Sequence, residues 1–271
     1  MTDLADAIPY ALDRLVDEAD YAVIGPNDGR RRVIASNRFP WSAICHIERD
    51  FGSDRLSGCT AFLIGPTTLL TAAHCLMSPM RRALRVPSAP QRIRVTPGRA
   101  NAATRPFGAQ WAASWRVHPE YARRPRAEVD IGVIELARPF HPDPRHFALM
   151  APNDAALRRL RQRRLVHISG YPGDKPLGTQ WQHEERLDRV DAARLHYTVD
   201  TCPGHSGAPI WVTLDPRRPP RVIGVHTAGP KPHAGGAWGC RAGVPLAPAG
   251  LFNSGVRLTP SVLAALGVAY G

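Results

Sequence analysis

Short apolar runs separated by turn-forming residues recur along this chain and restrict what it can fold into. Examples are Ala61–Ile64, the pair Leu69-Leu70 and the period-two segment Ile131–Leu136. Runs of this length are typical of β-strands. The turns between them are supplied by 23 glycines and 27 prolines, together with Asn and Asp. The pattern predicts an all-β fold of short strands.

The segment from Asp200 to Pro209 contains a candidate nucleophile. Its sequence is Asp-Thr-Cys-Pro-Gly-His-Ser-Gly-Ala-Pro, so Ser206 stands on a predicted turn between two glycines. A catalytic serine needs an exposed hydroxyl, a neighbouring base and backbone N–H groups directed at a developing oxyanion. Gly204 leaves room for one such N–H, and Ser206 would provide the second. Gly-x-Ser-Gly alone is common in loops, so the prediction depends on partners elsewhere in the chain.

Two such partners precede the serine. His74 lies in Thr-Ala-Ala-His-Cys, just after an apolar run, and Asp130 opens the alternating segment Asp130–Leu136. Singly, His74 is equally well explained as a structural histidine, and Asp130 as a strand-end cap or half of a salt bridge. The order His, Asp, Ser is that of a known catalytic triad, in which Ser206 attacks, His74 transfers the proton and Asp130 orients the imidazole.

With these residues in place, the chain resembles the trypsin-fold serine proteases of bacteria, and among them the glutamyl endopeptidases, over residues 23–260. Val23–Arg30 is similar to the mature amino terminus of the staphylococcal member. The run Gly170–Pro176, followed by Gln180-Trp181, is similar to a segment characteristic of the group, and Ile223–His226 resembles its substrate-pocket strand. The resemblance implies a serine endopeptidase that acts on protein or peptide substrates and needs no cofactor.

The resemblance also implies the architecture: two six-stranded antiparallel β-barrels, with the active site between them and a C-terminal helix. The expected divisions are an extension or pro-segment at 1–22, a first barrel with His74 and Asp130 at 23–140, a connection at 141–164, and a second barrel with Ser206 at 165–271. Two helices are expected outside the strands, at Asp154–Arg164 and, with Thr259 as cap and Pro260 in its first turn, at Val262–Ala269.

Two predictions compete for the substrate pocket. A carboxylate in a dry pocket needs hydrogen-bond donors, and in glutamyl endopeptidases a hydroxyl and a histidine supply them. Thr201 and His226 match those positions, which favours cleavage after Glu, or less often Asp. Asp200 stands where trypsin carries the aspartate that selects Arg and Lys, so a trypsin-like preference is the alternative unless this side chain turns away or pairs with a cation.

The N-terminal part raises the question of activation. His205 occupies the position where activated trypsin-type enzymes carry an aspartate that pairs with the new N-terminal amine, so activation of that kind is not expected. By resemblance, the amine of Val23 would lie near the substrate's acidic side chain if the chain were cut before it. Residues 1–22 show helical spacing of apolar residues, and both a removable pro-segment and an attached extension fit them.

The cysteines point to an oxidising compartment. By resemblance, Cys59 pairs with Cys75 and Cys202 with Cys240. Disulfides persist outside the cytoplasm, so we expect a secreted enzyme, although the first residues lack the basic start and apolar stretch of a secretory signal. Cys45 is left as a buried thiol. A metal site at Cys45-His46 or His74-Cys75 is the rival interpretation, but the spacing fits no zinc pattern, so no metal is predicted.

The formal net charge of +12 raises the question of nucleic-acid binding. The arginines are scattered, as in Arg81-Arg82 and Arg123-Arg124, without interleaved aromatics or a DNA-binding motif. We therefore expect no nucleic-acid partner, no membrane partner and a monomer. A catalytically silent, protease-like binding module is the remaining hypothesis from another class. It typically lacks a triad residue, and this chain has all three.

Overall fold

The computed structural model describes residues 24–52, 56–230 and 236–270, and within them the chain forms two β-barrels. This confirms the expected fold class. The extension at 1–22 and the candidate terminal residue Val23 lie outside the described residues. No helix in the described ranges is both long enough and apolar enough to cross a bilayer.

The first barrel closes from six antiparallel strands in the order β2-β3-β4-β7-β6-β5, with β5 paired back onto β2. The strands are β2 (Ile44–Asp50), β3 (Ser57–Leu63), β4 (Thr68–Thr71), β5 (Arg92–Pro97), β6 (Gln110–Val117) and β7 (Gly132–Leu136). Apolar side chains such as Ile47, Phe62, Leu70 and Ile134 fill its interior with no exposed surface. Their removal from water is the main stabilising contribution to this half.

The second barrel contains another six strands in the order β10-β11-β14-β13-β12-β9, closed by pairing of β9 with β10. They are β9 (Leu165–Gly170), β10 (Trp181–Val190), β11 (Arg194–Tyr197), β12 (Pro209–Val212), β13 (Arg221–Ala228) and β14 (Asn253–Arg257). Two short strands extend this sheet: β1 (Arg31–Arg32) pairs with β10, and β8 (Ala148–Leu149) pairs in parallel with β13. The N-terminal segment therefore reaches the second barrel although it precedes the first in sequence.

In the part of the chain that the structure describes, three short α-helices lie between strands: α1 (Pro79–Ala83), α2 (Pro119–Arg123) and α3 (Asp154–Arg163). A fourth, α4 (Pro260–Ala265), follows the last strand, β14. The third lies between the barrels as expected and begins where Asn153 accepts a hydrogen bond from the Ala156 N–H, at 2.9 Å.

The terminal helix α4 differs from its expected range. Thr259 caps it and Pro260 opens it as predicted, but it ends at Ala265 rather than Ala269. Gly267 adopts φ +64°, and its N–H and that of Val268 bond back to the carbonyls of Ala264 and Leu263. This left-handed glycine cap stops the helix within its second turn.

Both disulfides implied by the resemblance are present, Cys59–Cys75 and Cys202–Cys240. The first joins β3 to the short 3-10 turn Ala73–Cys75, and the second joins the loop before Ser206 to the segment after residue 236. Cys45 is a buried free thiol, as expected. The two bridges thus fix the two segments that carry the candidate base and the candidate nucleophile.

Candidate active site

The candidate base and the candidate orienting acid are hydrogen-bonded to each other in the first barrel. His74 lies on the 3-10 turn that follows β4, and Asp130 lies two residues before the start of β7. The His74 Nδ1 atom is 2.7 Å from Asp130 Oδ2, and the His74 backbone N–H donates to Oδ1 at 2.9 Å. Since a carboxylate only accepts, Nδ1 carries the proton and Nε2 is left as the basic nitrogen. Asp130 thereby sets both the tautomer and the position of His74.

Ser206 is held where the two barrels meet. Its carbonyl accepts the Thr60 N–H of β3 at 2.9 Å, and the Thr60 carbonyl accepts the Thr71 hydroxyl at 2.7 Å. Gly207 has φ +86°, and a Cβ there would overlap the Thr60 carbonyl. The nucleophile loop is therefore attached to the strand pair that ends three residues before His74.

Gly204 adopts a backbone conformation that admits no side chain. Its φ is +100°, and a Cβ would overlap the Tyr171 carbonyl oxygen. Its own carbonyl accepts the Thr60 hydroxyl at 2.7 Å, so the peptide that precedes His205 is held in one orientation. Gly204 thus stands in a tight turn just before Ser206, and its part in an oxyanion hole stays a prediction.

Two candidate pocket residues, Thr201 and His226, are fully buried and have polar atoms without a protein partner. Thr201 is 0% and His226 1% exposed, and neither Thr201 Oγ1 nor His226 Nε2 has a hydrogen-bond partner among the described residues. The other ring nitrogen, Nδ1, lies 2.7 Å from the hydroxyl of Tyr197. Burial above all holds the pKa of His226 well below its usual value, and the positive charge of Arg194 acts in the same direction, so its ring is neutral.

Asp200 does not leave its carboxylate free. Its Oδ1 accepts the Gly25 N–H at 2.7 Å and its Oδ2 accepts the Gly29 N–H at 2.8 Å. Its own N–H donates to Nδ1 of His183 at 2.8 Å, and the residue is 3% exposed. Of the alternatives left by the sequence, the side chain turns to the N-terminal segment, where two backbone amides bond to it, and His183 Nδ1 lies 3.4 Å from its Oδ2.

His205 is a buried neutral residue. Burial lowers its pKa to about 3, and the Cys202 N–H lies 3.1 Å from its Nδ1. A neutral imidazole cannot form an ion pair with a terminal amine, and the absence of trypsin-type activation stays a prediction.

Sequence reasoning missed an ionic cluster that binds the N-terminal segment to the second barrel. The guanidinium of Arg30, whose side chain is 1% exposed, bonds to Asp28 at 2.9 Å and to Asp174 at 2.6 Å. Lys175 lies 3.0 Å from Asp28. The only signal in the sequence was that Asp28 and Asp174 fall in the two segments that resemble the family.

The residue pairs considered as metal ligands have other partners. Cys75 forms a disulfide and His74 bonds to Asp130, while the Cys45 thiol lies against the Ala43 carbonyl. Within the described ranges, no three His, Cys, Asp or Glu side chains are grouped so as to hold a metal ion.

Comparison with known proteins agrees with this geometry. The Trypsin family model matches residues 29–245. The chain belongs to the trypsin family. It is 33% identical over 211 residues to the glutamyl endopeptidase of Bacillus licheniformis, an alignment that covers 77% of this chain and 61% of that protein. The chain thus spans about three fifths of this relative's length.

Two further proteins are similar to this chain, one in sequence and one in structure. A Bacillus subtilis protein named extracellular metalloprotease is 25% identical over 209 residues, which cover 77% of this chain and 63% of that protein. A solved structure of a Glu endopeptidase in complex with MPD superposes with a TM-score of 0.68 at 25% identity, covering 90% of this trypsin-family chain and 98% of the solved one.

Proposed function

We propose that this trypsin-family chain is a serine endopeptidase in which His74, Asp130 and Ser206 form the catalytic triad. The observation that carries the proposal is the double hydrogen bond between Asp130 and His74. It leaves Nε2 as the base that takes the Ser206 proton during attack and returns it to the leaving amine. The backbone N–H groups of Gly204 and Ser206 stabilise the tetrahedral oxyanion.

The proposed preference is for glutamate, or less often aspartate, on the acyl side of the cut bond. Tyr197 is fully buried, and burial raises the pKa of its hydroxyl well above the usual value, so it keeps its proton. Its hydroxyl hydrogen has one acceptor in the described structure, His226 Nδ1. The proton of the neutral ring is therefore on Nε2, and the pocket has two donors, this N–H and the Thr201 hydroxyl, to offer a carboxylate.

A buried cation supports the same preference. Arg194 is 8% exposed and donates to Thr227, Ser254 and the Ala127 carbonyl. No carboxylate pairs with it in the described ranges, yet it is close enough to His226 for its charge to lower that pKa. A substrate carboxylate would supply the missing negative charge in a low-dielectric region.

The alternative preference for Arg or Lys has less support. It needs the Asp200 carboxylate to face the substrate, and both of its oxygens accept backbone N–H groups of the N-terminal segment. Moving it would leave the amides of Gly25 and Gly29 without an acceptor. A fully buried, unsatisfied group costs about 1–3 kcal/mol, and these two amides are partly buried, so each would cost less than that.

The first test is digestion of a mixed peptide library, read by mass spectrometry, by the full chain, by a form starting at Val23 and by a Ser206→Ala control. We expect cuts after Glu, and fewer after Asp, that are absent from the control. Cuts after Arg or Lys would contradict the pocket assignment. Absence of cuts from both forms would favour the binding-module hypothesis.

An Asp200→Ser variant separates the two specificities further. If Asp200 only anchors the N-terminal segment, the variant keeps glutamate preference and is less stable. If Asp200 selects basic residues, the variant loses cleavage after Arg and gains cleavage after Glu.

The proposed site of action is outside the cytoplasm, which is supported by the two disulfides and by the Bacillus subtilis relative named extracellular.

A further inference from the structure

A cavity of about 390 Å³ opens beside Gly204 and is distinct from the pocket of Thr201 and His226. One wall comes from the first barrel, at the start of β3, and the other from the loop 171–178 of the second barrel. Leu56 and Leu177, two of the exposed large apolar side chains at 41% and 62%, stand on opposite walls. The cavity thus has an apolar rim next to the candidate oxyanion glycine.

His46 lines this cavity, and its hydrogen bond to Arg99 fixes the tautomer of its neutral ring. Arg99 Nη1 lies 2.8 Å from His46 Nδ1, and an arginine only donates, so Nδ1 accepts. Burial lowers the pKa of His46 to about 4, so the ring is neutral and its proton is on Nε2. Glu48 pairs with Arg99 at 3.2 Å and with Arg94 at 2.8 Å, which holds the arginine in place.

One further feature keeps that donor available. A Cβ added to Gly58 would lie 3.0 Å from His46 Nε2, so the glycine leaves the nitrogen uncovered on the cavity side. The cavity therefore offers an N–H in a confined space, where an unsatisfied polar group favours a ligand that can bond to it.

We propose that this cavity binds the substrate residue that follows the cut bond, and that it prefers Gln or Glu there. The inference rests on the proposed function: with the acyl-side residue in the pocket of Thr201 and His226, the chain past Ser206 continues across Gly204 into this cavity. The methylene groups of Gln or Glu contact the leucine rim, and the terminal oxygen accepts from His46 Nε2.

The test compares peptides that are identical except for Gln, Glu or Met after the cleaved Glu. Methionine has the same length but no strong acceptor, so the ratio of kcat/KM for Gln to that for Met isolates the hydrogen bond. We expect about fivefold in favour of Gln for the unmodified chain, the value of about one neutral hydrogen bond. Gly58→Ala, which covers Nε2, is expected to bring the ratio close to one.

Gly65→Ala is the matched control, because a Cβ there meets nothing closer than 3.8 Å and leaves the ratio unchanged. A second measurement does not depend on catalysis: calorimetric titration of the Ser206→Ala chain with the leaving-group mimic Gln-Ala-amide. Binding that Gly58→Ala abolishes supports the cavity even if cleavage is absent. Equal ratios for all variants, or binding that Gly58→Ala leaves intact, would overturn the assignment, whereas no cleavage after Glu would overturn only the proposed function.

Discussion

At the scale of single residues, the site is organised by the partners of histidine Nδ1 atoms. Asp130 accepts from Nδ1 of His74, which makes Nε2 a base, whereas Tyr197 donates to Nδ1 of His226, which makes Nε2 a donor. In the proposed site the same side-chain type thus has opposite roles, and the residue bonded to Nδ1 decides which. The prediction that follows concerns Tyr197, a positioning residue that acts through His226.

Replacing Tyr197 with Phe removes the hydroxyl and keeps the ring. The proton of His226 can then move to Nδ1, which leaves Nε2 as an acceptor that repels a carboxylate. We expect kcat/KM for peptides cut after Glu to fall about 10- to 100-fold, since a hydrogen bond to a charged group contributes about 1.5–3 kcal/mol. The decisive readout is the ratio of Glu to Gln substrates, which a general loss of packing would leave unchanged.

At the scale of secondary-structure elements, the N-terminal segment that leads into β1 is part of the second barrel. Ile24 packs against Cys202, Ala237 and Cys240, and Arg30 carries the ionic cluster with Asp28 and Asp174. The cluster joins two segments 144 residues apart in the chain. The position of Cys202, next to the candidate pocket residue Thr201, therefore depends on a segment that precedes both barrels in the sequence.

Arg30→Met and Arg31→Met form a matched pair that measures this dependence. Arg30 is buried, so its removal leaves the carboxylates of Asp28 and Asp174 with less compensation, and we expect a loss of about 3 kcal/mol or more in the free energy of unfolding. Arg31 pairs with Glu184 while its side chain is 64% exposed, and its loss is expected to cost about 1 kcal/mol or less. Denaturant unfolding gives both values, and similar losses would contradict the role assigned to Arg30.

Features that depend on neighbouring residues could be predicted from the sequence, whereas contacts between residues far apart in the chain could not. The strands, the cap at Thr259 and the glycine turn at Gly204 are encoded within a few residues, so pattern sufficed. The direction of Asp200 depends on backbone amides of Gly25 and Gly29, more than 170 residues away, and the partner of His226 comes from another strand. Composition and spacing carry no information on such contacts because they depend on the path of the whole chain.

At the scale of the whole molecule, the interior holds several neutral histidines. His46, His205 and His226 are each 4% exposed or less, and burial is the main cause that lowers the pKa of each. The lowered values are about 4 for His46 and about 3 for His205, and well below the usual value for His226. In the unfolded chain the same rings titrate near about 6.5.

These rings make folding stability depend on pH. Below about pH 6.5 the unfolded chain binds protons that the folded chain does not, so stability falls as pH decreases, by about 1.4 kcal/mol per pH unit for each ring, until the folded pKa is reached. Three rings together give about 4 kcal/mol per unit between pH 6 and 5, and we expect the thermal midpoint to fall steeply there. In His205→Asn, whose side-chain oxygen can accept the Cys202 N–H without titrating, the slope should decrease by about one third. A midpoint that stays constant from pH 7 to 5 would mean that the interior admits the charged rings.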